Sequence, residues 1–83
     1  MKNSVTHTKS KAFAVRIIRF YKYLTEEKKE YVLAKQILRS GTSIGANVRE
    51  SYSAQSTADF INKLQIALKE ADETAYWLEI LTE

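Results

Sequence analysis

The residues of this chain that could do chemistry are concentrated in one segment, RSGTSIGANVRES, residues 39–51. It contains both glycines, Gly41 and Gly45, among hydroxyl and amide side chains. A glycine-rich turn of this kind can hold a phosphate with its backbone N–H groups, but the P-loop that does so requires G-x-x-x-x-G-K-[ST] after a strand. Here the glycines are closer together and no lysine follows Gly45. The segment therefore does not predict a nucleotide-binding loop.

Metal or catalytic chemistry has few residues on which to rest. His7 is the only histidine, and there is no cysteine. Glu70 and Glu73 can share a helix face, but a di-metal site in a bundle needs Glu-x-x-His motifs, which are absent. We expect these two carboxylates to form surface or intersubunit salt bridges. Ser40 and Ser43 have no base to activate them. The sequence therefore predicts a protein that is not an enzyme, with no catalytic residue, metal site, cofactor or small-molecule substrate.

Positive charge is concentrated in the first part of the chain. Residues 1–49 carry 11 Lys and Arg and three Glu, a net charge of +8, whereas residues 50–83 have a net charge of −5. Such segregation indicates either a surface for an anionic partner or complementary surfaces that meet within the protein or between subunits. Both alternatives stay open. The candidate phosphate contacts for RNA or DNA are Arg16, Arg19, Lys22, Lys35, Arg39 and Arg49.

The helix that carries the first of these cations is predicted from its apolar spacing. Apolar side chains recur at i, i+4, i+7, i+8 and i+11, namely Phe13, Ile17, Phe20, Tyr21 and Leu24. This spacing predicts an amphipathic helix from about Lys9, with basic residues on its other face. Residues 1–8 are predicted to be a disordered tail, and residues 9–83 a single helical-bundle domain. Thr25 is a candidate N-cap for the next helix.

A second helix is predicted to run from about Glu26 to Ala54, through the glycine-containing segment. Its small and apolar positions keep spacings of three, one and four residues without a break: Tyr31, Ala34, Ile37, Leu38, Gly41, Ile44, Gly45, Val48 and Tyr52. A loop would not preserve this phase, so the segment is interpreted as continuous helix. Glycine inside a helix costs about 1 kcal/mol relative to alanine. We therefore expect Gly41 and Gly45 to lie at a close contact with another helix.

A third helix is predicted to begin after Ser56, or alternatively Thr57, and to end near Leu81. Ser56 and Asp59 have the spacing of a capping box. Besides its main apolar stripe, this helix has a second, narrower apolar face formed by Ile66, Trp77 and Ile80. In an arrangement of three helices, Trp77 and Ile80 would face solvent. We therefore expect a fourth helix or another subunit to cover them, and these residues join the glycines as candidate packing or oligomer contacts.

Length and composition agree with a small intracellular helical domain. The chain has 83 residues, no proline and a mean hydropathy of −0.36. No apolar run approaches the roughly 18 residues that a membrane span requires. The absence of cysteine fits a reducing compartment. We therefore predict one all-α domain, located in the cytoplasm and not in a membrane.

Two stretches resemble a known family. LRSGTSIGANVRES and DFINKLQIALKEADETAYWLEIL are similar to the bacterial four-helix-bundle family named for 23S ribosomal RNA intervening sequences, also called the S23 ribosomal protein family. The resemblance spans residues 12–81 and is most specific at SIGAN (43–47) and ALKEADETAYWL (67–78). Many members have proline where this chain has Gly45. The fourth helix of the family pattern is absent from these residues or is supplied from elsewhere.

The resemblance implies a fold, an assembly and a class of partner. The fold is an up-and-down antiparallel bundle, and the assembly is a ring-shaped homopentamer. A related protein is the basic accessory protein of diversity-generating retroelements, which acts with a reverse transcriptase and RNA. Most members have no established activity. The sequence therefore predicts a non-enzymatic, self-assembling bundle of uncharacterised cellular role, with an RNA- or DNA-binding accessory protein as the alternative.

Overall fold

A computed structural model of the protein describes residues 4–83. All regular structure within this range is helical, in the order α1 (Val5–Glu26), α2 (Val32–Ser51) and α3 (Thr57–Leu81). Ser4 and Tyr52 are joined by a hydrogen bond, as are Ser40 and Thr74, so successive helices run antiparallel. The predicted all-α, up-and-down bundle is confirmed. No helix of the described residues is long and apolar enough to span a membrane.

The first helix starts earlier than the apolar pattern predicted. Ser4 has extended backbone angles, and its Oγ accepts a hydrogen bond from the His7 N–H at 2.9 Å, which caps the first turn. The Ser4 hydroxyl also bonds the Tyr52 hydroxyl at the end of α2. Because this cap and this cross-helix contact fix the polar first turn, the predicted disordered tail is wrong for residues 4–8. Residues 1–3, the rest of that tail, lie outside the described residues.

The boundary between α1 and α2 also differs from the prediction. Thr25 does not cap α2, because it lies within α1 and its Oγ1 donates to the Tyr21 carbonyl at 3.0 Å. The chain turns at Lys29, which has a φ of 56°, and the Glu30 N–H then bonds the Leu24 carbonyl at 2.9 Å. The Glu30 carboxylate accepts from the Leu33 N–H at 3.0 Å and so satisfies a donor in the first turn of α2. Glu30, which precedes the N-cap residue Tyr31, therefore caps α2 with its carboxylate.

The glycine-containing segment is helical throughout, as its phase predicted. Residues 39–51 are the last 13 of the 20 residues of α2. The predicted helix was too long at both ends, because α2 begins at Val32 and ends at Ser51. The predicted cap of α3 is confirmed: Ser56 Oγ accepts from the Asp59 N–H at 3.1 Å. The Asp59 carboxylate accepts in return from the Gln55 N–H at 3.3 Å.

The core lies between α1 and α2 and is closed by the C-terminal end of α3. Its fully buried apolar residues are Ile17, Leu24, Ala34 and Ile37. Half-buried side chains surround them: Phe13, Phe20, Tyr21, Leu38, Trp77, Leu78 and Leu81. Within residues 4–83, α2 packs against both α1 and α3, but no Cα of α1 lies within 8 Å of a Cα of α3. The molecule is elongated, 43 × 20 × 16 Å, and α2 is the helix that packs against both others.

Candidate functional site

An apolar cleft opens between α1 and α3, whose Cα atoms do not come within 8 Å of each other. It is lined by Phe13, Ile17 and Phe20 of α1 and by Leu78 of α3, and has a volume of about 480 Å³. Arg16 and Arg19 form its rim on α1. We call this the α1–α3 cleft. It presents aromatic and aliphatic side chains beside two cations, an environment suited to an apolar helix face.

The apolar surface continues along the N-terminal half of α3. Phe60, Ile61, Leu64 and Leu68 are all exposed, and Leu68 is the most exposed of them at 66%. At 100° per residue, these four side chains lie on one side of the helix. We call them the exposed α3 stripe. Single apolar residues are common on protein surfaces, whereas a contiguous apolar patch indicates an interaction surface.

Five of the six candidate phosphate contacts are exposed and have no carboxylate within 4 Å among residues 4–83. They are Arg16, Arg19 and Lys22 on α1, and Lys35 and Arg49 on α2. Arg16 and Arg19 line the α1–α3 cleft. Arg49 lies on the other flank of α1, beside His7 and Lys11. The structure thus distributes these cations over more than one surface.

Arg39, the sixth candidate, is held by two carboxylates of α3. It forms an ion pair with Glu70 at 3.3 Å and another with Glu73. The hydrogen bond to Glu73 and the one to Glu70 raise the pKa of Arg39 above its ordinary value. The hydrogen bond from Arg39, followed by that from the Trp77 indole, lowers the pKa of Glu73. The expected salt bridges of Glu70 and Glu73 therefore lie within one chain, and the charge of Arg39 is compensated by them.

The candidate packing residues on α3 lie in different environments. The expectation that Trp77 faces solvent is wrong, because its ring packs against the core and its Nε1–H donates to Glu73 Oε2 at 3.0 Å. Ile66 is half-buried, whereas Ile80 is exposed as expected. The carboxylate that accepts the indole N–H, that of Glu73, also pairs with Arg39 of α2. Contact of these three residues with another subunit stays a prediction.

The two glycines lie at the crossing of α1 and α2. A Cβ on Gly41 would be 2.8 Å from Cγ1 and 2.9 Å from Cγ2 of Ile17. A Cβ on Gly45 would be 3.2 Å from the Ser10 carbonyl oxygen. Real Cβ atoms essentially never show contacts under 3.0 Å, so an alanine at Gly41 would displace Ile17. The missing side chains allow the close approach of the two helices.

A smaller cleft between α1 and α2 brings together basic residues that the sequence did not single out as a group. His7 and Lys11 of α1 and Arg49 of α2 line a space of about 210 Å³. We call it the basic cleft. His7 and Lys11 are four residues apart, so helical spacing alone could have paired them. The addition of Arg49 depends on the register between α1 and α2, which periodicity within one helix does not reveal.

Ser40 and Ser43, the serines considered as nucleophiles, each form a hydrogen bond with another side chain. Ser40 bonds Thr74 at 2.7 Å, and Ser43 bonds the Asn47 amide at 3.1 Å. Within residues 4–83, no three His, Cys, Asp or Glu side chains are grouped so that they could hold a metal ion. The arrangement of residues 4–83 thus offers binding surfaces: an apolar cleft, an exposed apolar stripe and a basic cleft.

Comparisons with known proteins agree with the architecture. Residues 2–83 match the family model described as 23S rRNA-intervening sequence protein. A crystal structure from Bacteroides thetaiotaomicron, described as a protein of unknown function from the S23 ribosomal protein family, is 69% identical in sequence. The two superpose with a TM-score of 0.92, over 93% of this chain and 71% of that chain. No curated protein matches. The chain belongs to the 23S rRNA-intervening sequence protein family.

Proposed function

We propose that this protein is a non-enzymatic helical bundle that assembles with copies of itself into a ring-shaped homopentamer. The observation that carries the proposal is the apolar surface formed by the α1–α3 cleft and the exposed α3 stripe. The number of subunits rests on the resemblance of the sequence to its family. Neither the family nor its structural neighbour is described as an enzyme, which agrees with this function.

The free energy of association comes from covering this apolar surface. Transfer of apolar area out of water is worth about 25 cal/mol per Å², and a fully buried Leu or Phe side chain about 1.5–3 kcal/mol. Leu68 is 66% exposed, so it contributes little to the folding of one chain. In an assembly, the same side chain would become buried. A small domain with a modest core also gains stability from subunit contacts.

Light scattering coupled to size-exclusion chromatography tests the assembly. We expect the purified protein to have five times the mass of the 9.5-kDa chain. Leu68→Glu places a charge in the exposed α3 stripe and should shift the mass to that of a monomer, with the helical circular dichroism retained. Gln65→Glu, also exposed on α3, introduces the same charge outside the stripe and should stay assembled. A monomeric wild-type protein at micromolar concentration contradicts the proposal.

A second candidate function is binding of RNA or DNA through phosphate contacts. It is supported by the absence of ion pairs at Arg16, Arg19, Lys22 and Lys35 within residues 4–83, in contrast to Arg39. Contacts of Lys and Arg with phosphates release counterions, so binding weakens as salt rises.

Fluorescence anisotropy with a labelled single-stranded RNA tests this second function. The affinity should fall with salt, with a log–log slope near −0.7 for each phosphate contact. Charge reversal of Arg16, Arg19 and Lys35 together should abolish binding, and Lys69→Glu on α3 is the matched control. Arg39 is left unchanged because its substitution would break the contacts with Glu70 and Glu73. No binding at low salt, or equal loss in the control, would exclude this function.

A further inference from the structure

The basic cleft holds cations that the fold brings together without neutralising them. Lys11 and Arg49 are both exposed at its edge, and neither forms an ion pair within residues 4–83. No carboxylate lines the cleft. The nearest acid along the chain, Glu50, pairs instead with Lys63 of α3 at 3.2 Å. Lys11 and Arg49 therefore share a cleft that contains no compensating negative charge.

On the opposite side of α2, a cation is paired with carboxylates of the same chain. Arg39 lies at the α2–α3 seam and is compensated by two glutamates. At the α1–α2 seam, by contrast, Lys11 and Arg49 line one cleft without a carboxylate, and like charges repel when they lie within a Debye length of about 8 Å. An anion bound between them would remove this repulsion. This contrast between the two seams indicates that the cations of the basic cleft are available to bind an anionic ligand.

The shape and donors of the basic cleft suit an oxyanion. Its floor is made of Ala14, Gly45 and Ala46, whose side chains are a methyl group or a hydrogen, so the space between the cations stays open. The side chains that line the cleft include an ammonium, a guanidinium and an imidazole, which all carry N–H donors. Charge-assisted hydrogen bonds from such donors to phosphate oxygens are about twice as strong as those between neutral groups.

We propose that the basic cleft binds a phosphate group between Lys11 and Arg49, with His7 as a third donor. The phosphate could belong to a small phosphate ester or to a nucleic-acid backbone, and both present the same oxygens. The site lies on the other flank of α1 from the α1–α3 cleft, so it is separate from the apolar surface assigned to assembly. It also uses His7 and Lys11, which are not among the candidate nucleic-acid contacts.

The test follows the amide resonances of Gly45 and Ala46 by NMR as inorganic phosphate replaces chloride at constant ionic strength. We expect saturable shifts of both resonances in the wild type. Lys11→Gln combined with Arg49→Gln should remove them. Lys9→Gln is the matched control, because Lys9 is on the same helix but does not line the cleft, and it should respond as the wild type does. Shifts of equal size in the wild type and the double variant would overturn the site.

Thermal unfolding gives a second, independent measurement. Phosphate should raise the melting temperature of the wild type and of Lys9→Gln more than that of the double variant, since a ligand that binds the folded state stabilises it. General salting effects of phosphate occur in all three proteins and cancel in the comparison. Without phosphate, the double variant should melt at the wild-type temperature or above it, because the repulsion is gone. A lower melting temperature in chloride would show that the cations are structural and would contradict the proposal.

The source of the phosphate is separated by repeating the titration with a short single-stranded RNA. If RNA shifts the same two resonances and the double variant lowers the salt slope of RNA binding by about 0.7 for each lost contact, the cleft takes a backbone phosphate. If inorganic phosphate shifts them and RNA does not, the ligand is a small phosphate ester. Both results support the site, whereas a response to neither ligand contradicts it.

Discussion

Gly41 shows how a single missing side chain sets the distance between α1 and α2. A Cβ at this position would lie 2.8 Å from Cγ1 and 2.9 Å from Cγ2 of Ile17, which is 4% exposed and cannot move aside into solvent. Glycine costs helix stability, yet it permits this contact. The residue is therefore kept small by the packing of the neighbouring helix.

Gly41→Ala should destabilise the protein by about 1 kcal/mol, because overpacking of about 1–3 kcal/mol outweighs the helix propensity gain of about 1 kcal/mol. Ile17→Ala removes both γ carbons that cause the clash. In that background, Gly41→Ala should become neutral or stabilising. Urea unfolding of the four proteins in this double-mutant cycle measures the coupling. Equal effects of Gly41→Ala in both backgrounds would show that the Ile17 contact does not limit this position.

Glu73 is the residue for which pH is expected to matter. Hydrogen bonds from Arg39 and Trp77 lower its pKa, so the folded state binds the proton more weakly than the unfolded state. The contribution of Glu73 to stability is therefore present above the ordinary glutamate pKa of about 4.3 and is lost as pH falls through its lower folded value. The ion pair therefore stabilises the folded protein at neutral pH, and this stabilisation is lost on acidification.

Glu73→Gln should lower the melting temperature at pH 7, and the difference from the wild type should shrink as the pH falls below the ordinary glutamate pKa of about 4.3. Glutamine can still accept the Trp77 N–H but carries no charge for Arg39, so the difference reports the ion pair. Melting temperatures of both proteins between pH 3 and pH 8 provide the measurement. A constant difference across this range would mean that packing, not charge, is responsible.

At the scale of the elements, the ends of the helices are fixed by a few local hydrogen bonds. Ser4 and Ser56 cap α1 and α3 with their hydroxyl oxygens. The α2 helix has no such cap at Tyr31 and uses the Glu30 carboxylate one residue earlier. Thr25 illustrates the difficulty for sequence analysis, since the same hydroxyl can cap a helix or bond the preceding turn. Thr25 bonds the preceding turn because α1 continues past it and the chain turns only at Lys29.

Ser56→Ala should destabilise the protein by about 0.5–2 kcal/mol through the loss of the α3 cap. Ser53→Ala is the matched control, because the Ser53 side chain is exposed and has no hydrogen bond within residues 4–83. Chemical denaturation followed by circular dichroism measures both changes. Similar values for the two variants would indicate that the Ser56 cap contributes nothing beyond a surface substitution.

At the scale of the whole molecule, α2 is the central helix, and α1 and α3 pack on either side of it. The α2 helix packs on both neighbours, whereas α1 and α3 leave the α1–α3 cleft between them. The exposed α3 stripe extends the same apolar surface. A chain of this size thus has more apolar area than its own three helices cover. This geometry supports association with further copies.

Association predicts that stability depends on concentration. The melting temperature of the wild type should fall on dilution, because dissociation becomes favourable when subunits are scarce. Leu68→Glu should melt at a temperature that does not change with concentration. Differential scanning calorimetry over a hundredfold range of concentration makes the comparison. A wild-type melting temperature that is independent of concentration would contradict the assembly.

The sequence by itself determined the helical class, the continuity of α2 through residues 39–51 and the family. These follow from apolar spacing and from motifs within single helices, which are local properties of the chain. It also predicted the α3 cap at Ser56, because that contact spans only three residues. It did not predict the cap at Ser4 or the turn at Lys29.

Only the tertiary structure decided which charges are compensated and which are left open. Arg39 meets carboxylates 31 and 34 residues later in the chain, whereas Lys11 of α1 and Arg49 of α2 line one cleft. Helix periodicity gives the face on which a side chain lies but not the register of that face against another helix. That register is set by close packing, here at Gly41 and Gly45, and it made Arg39 a structural cation and Arg49 a ligand candidate.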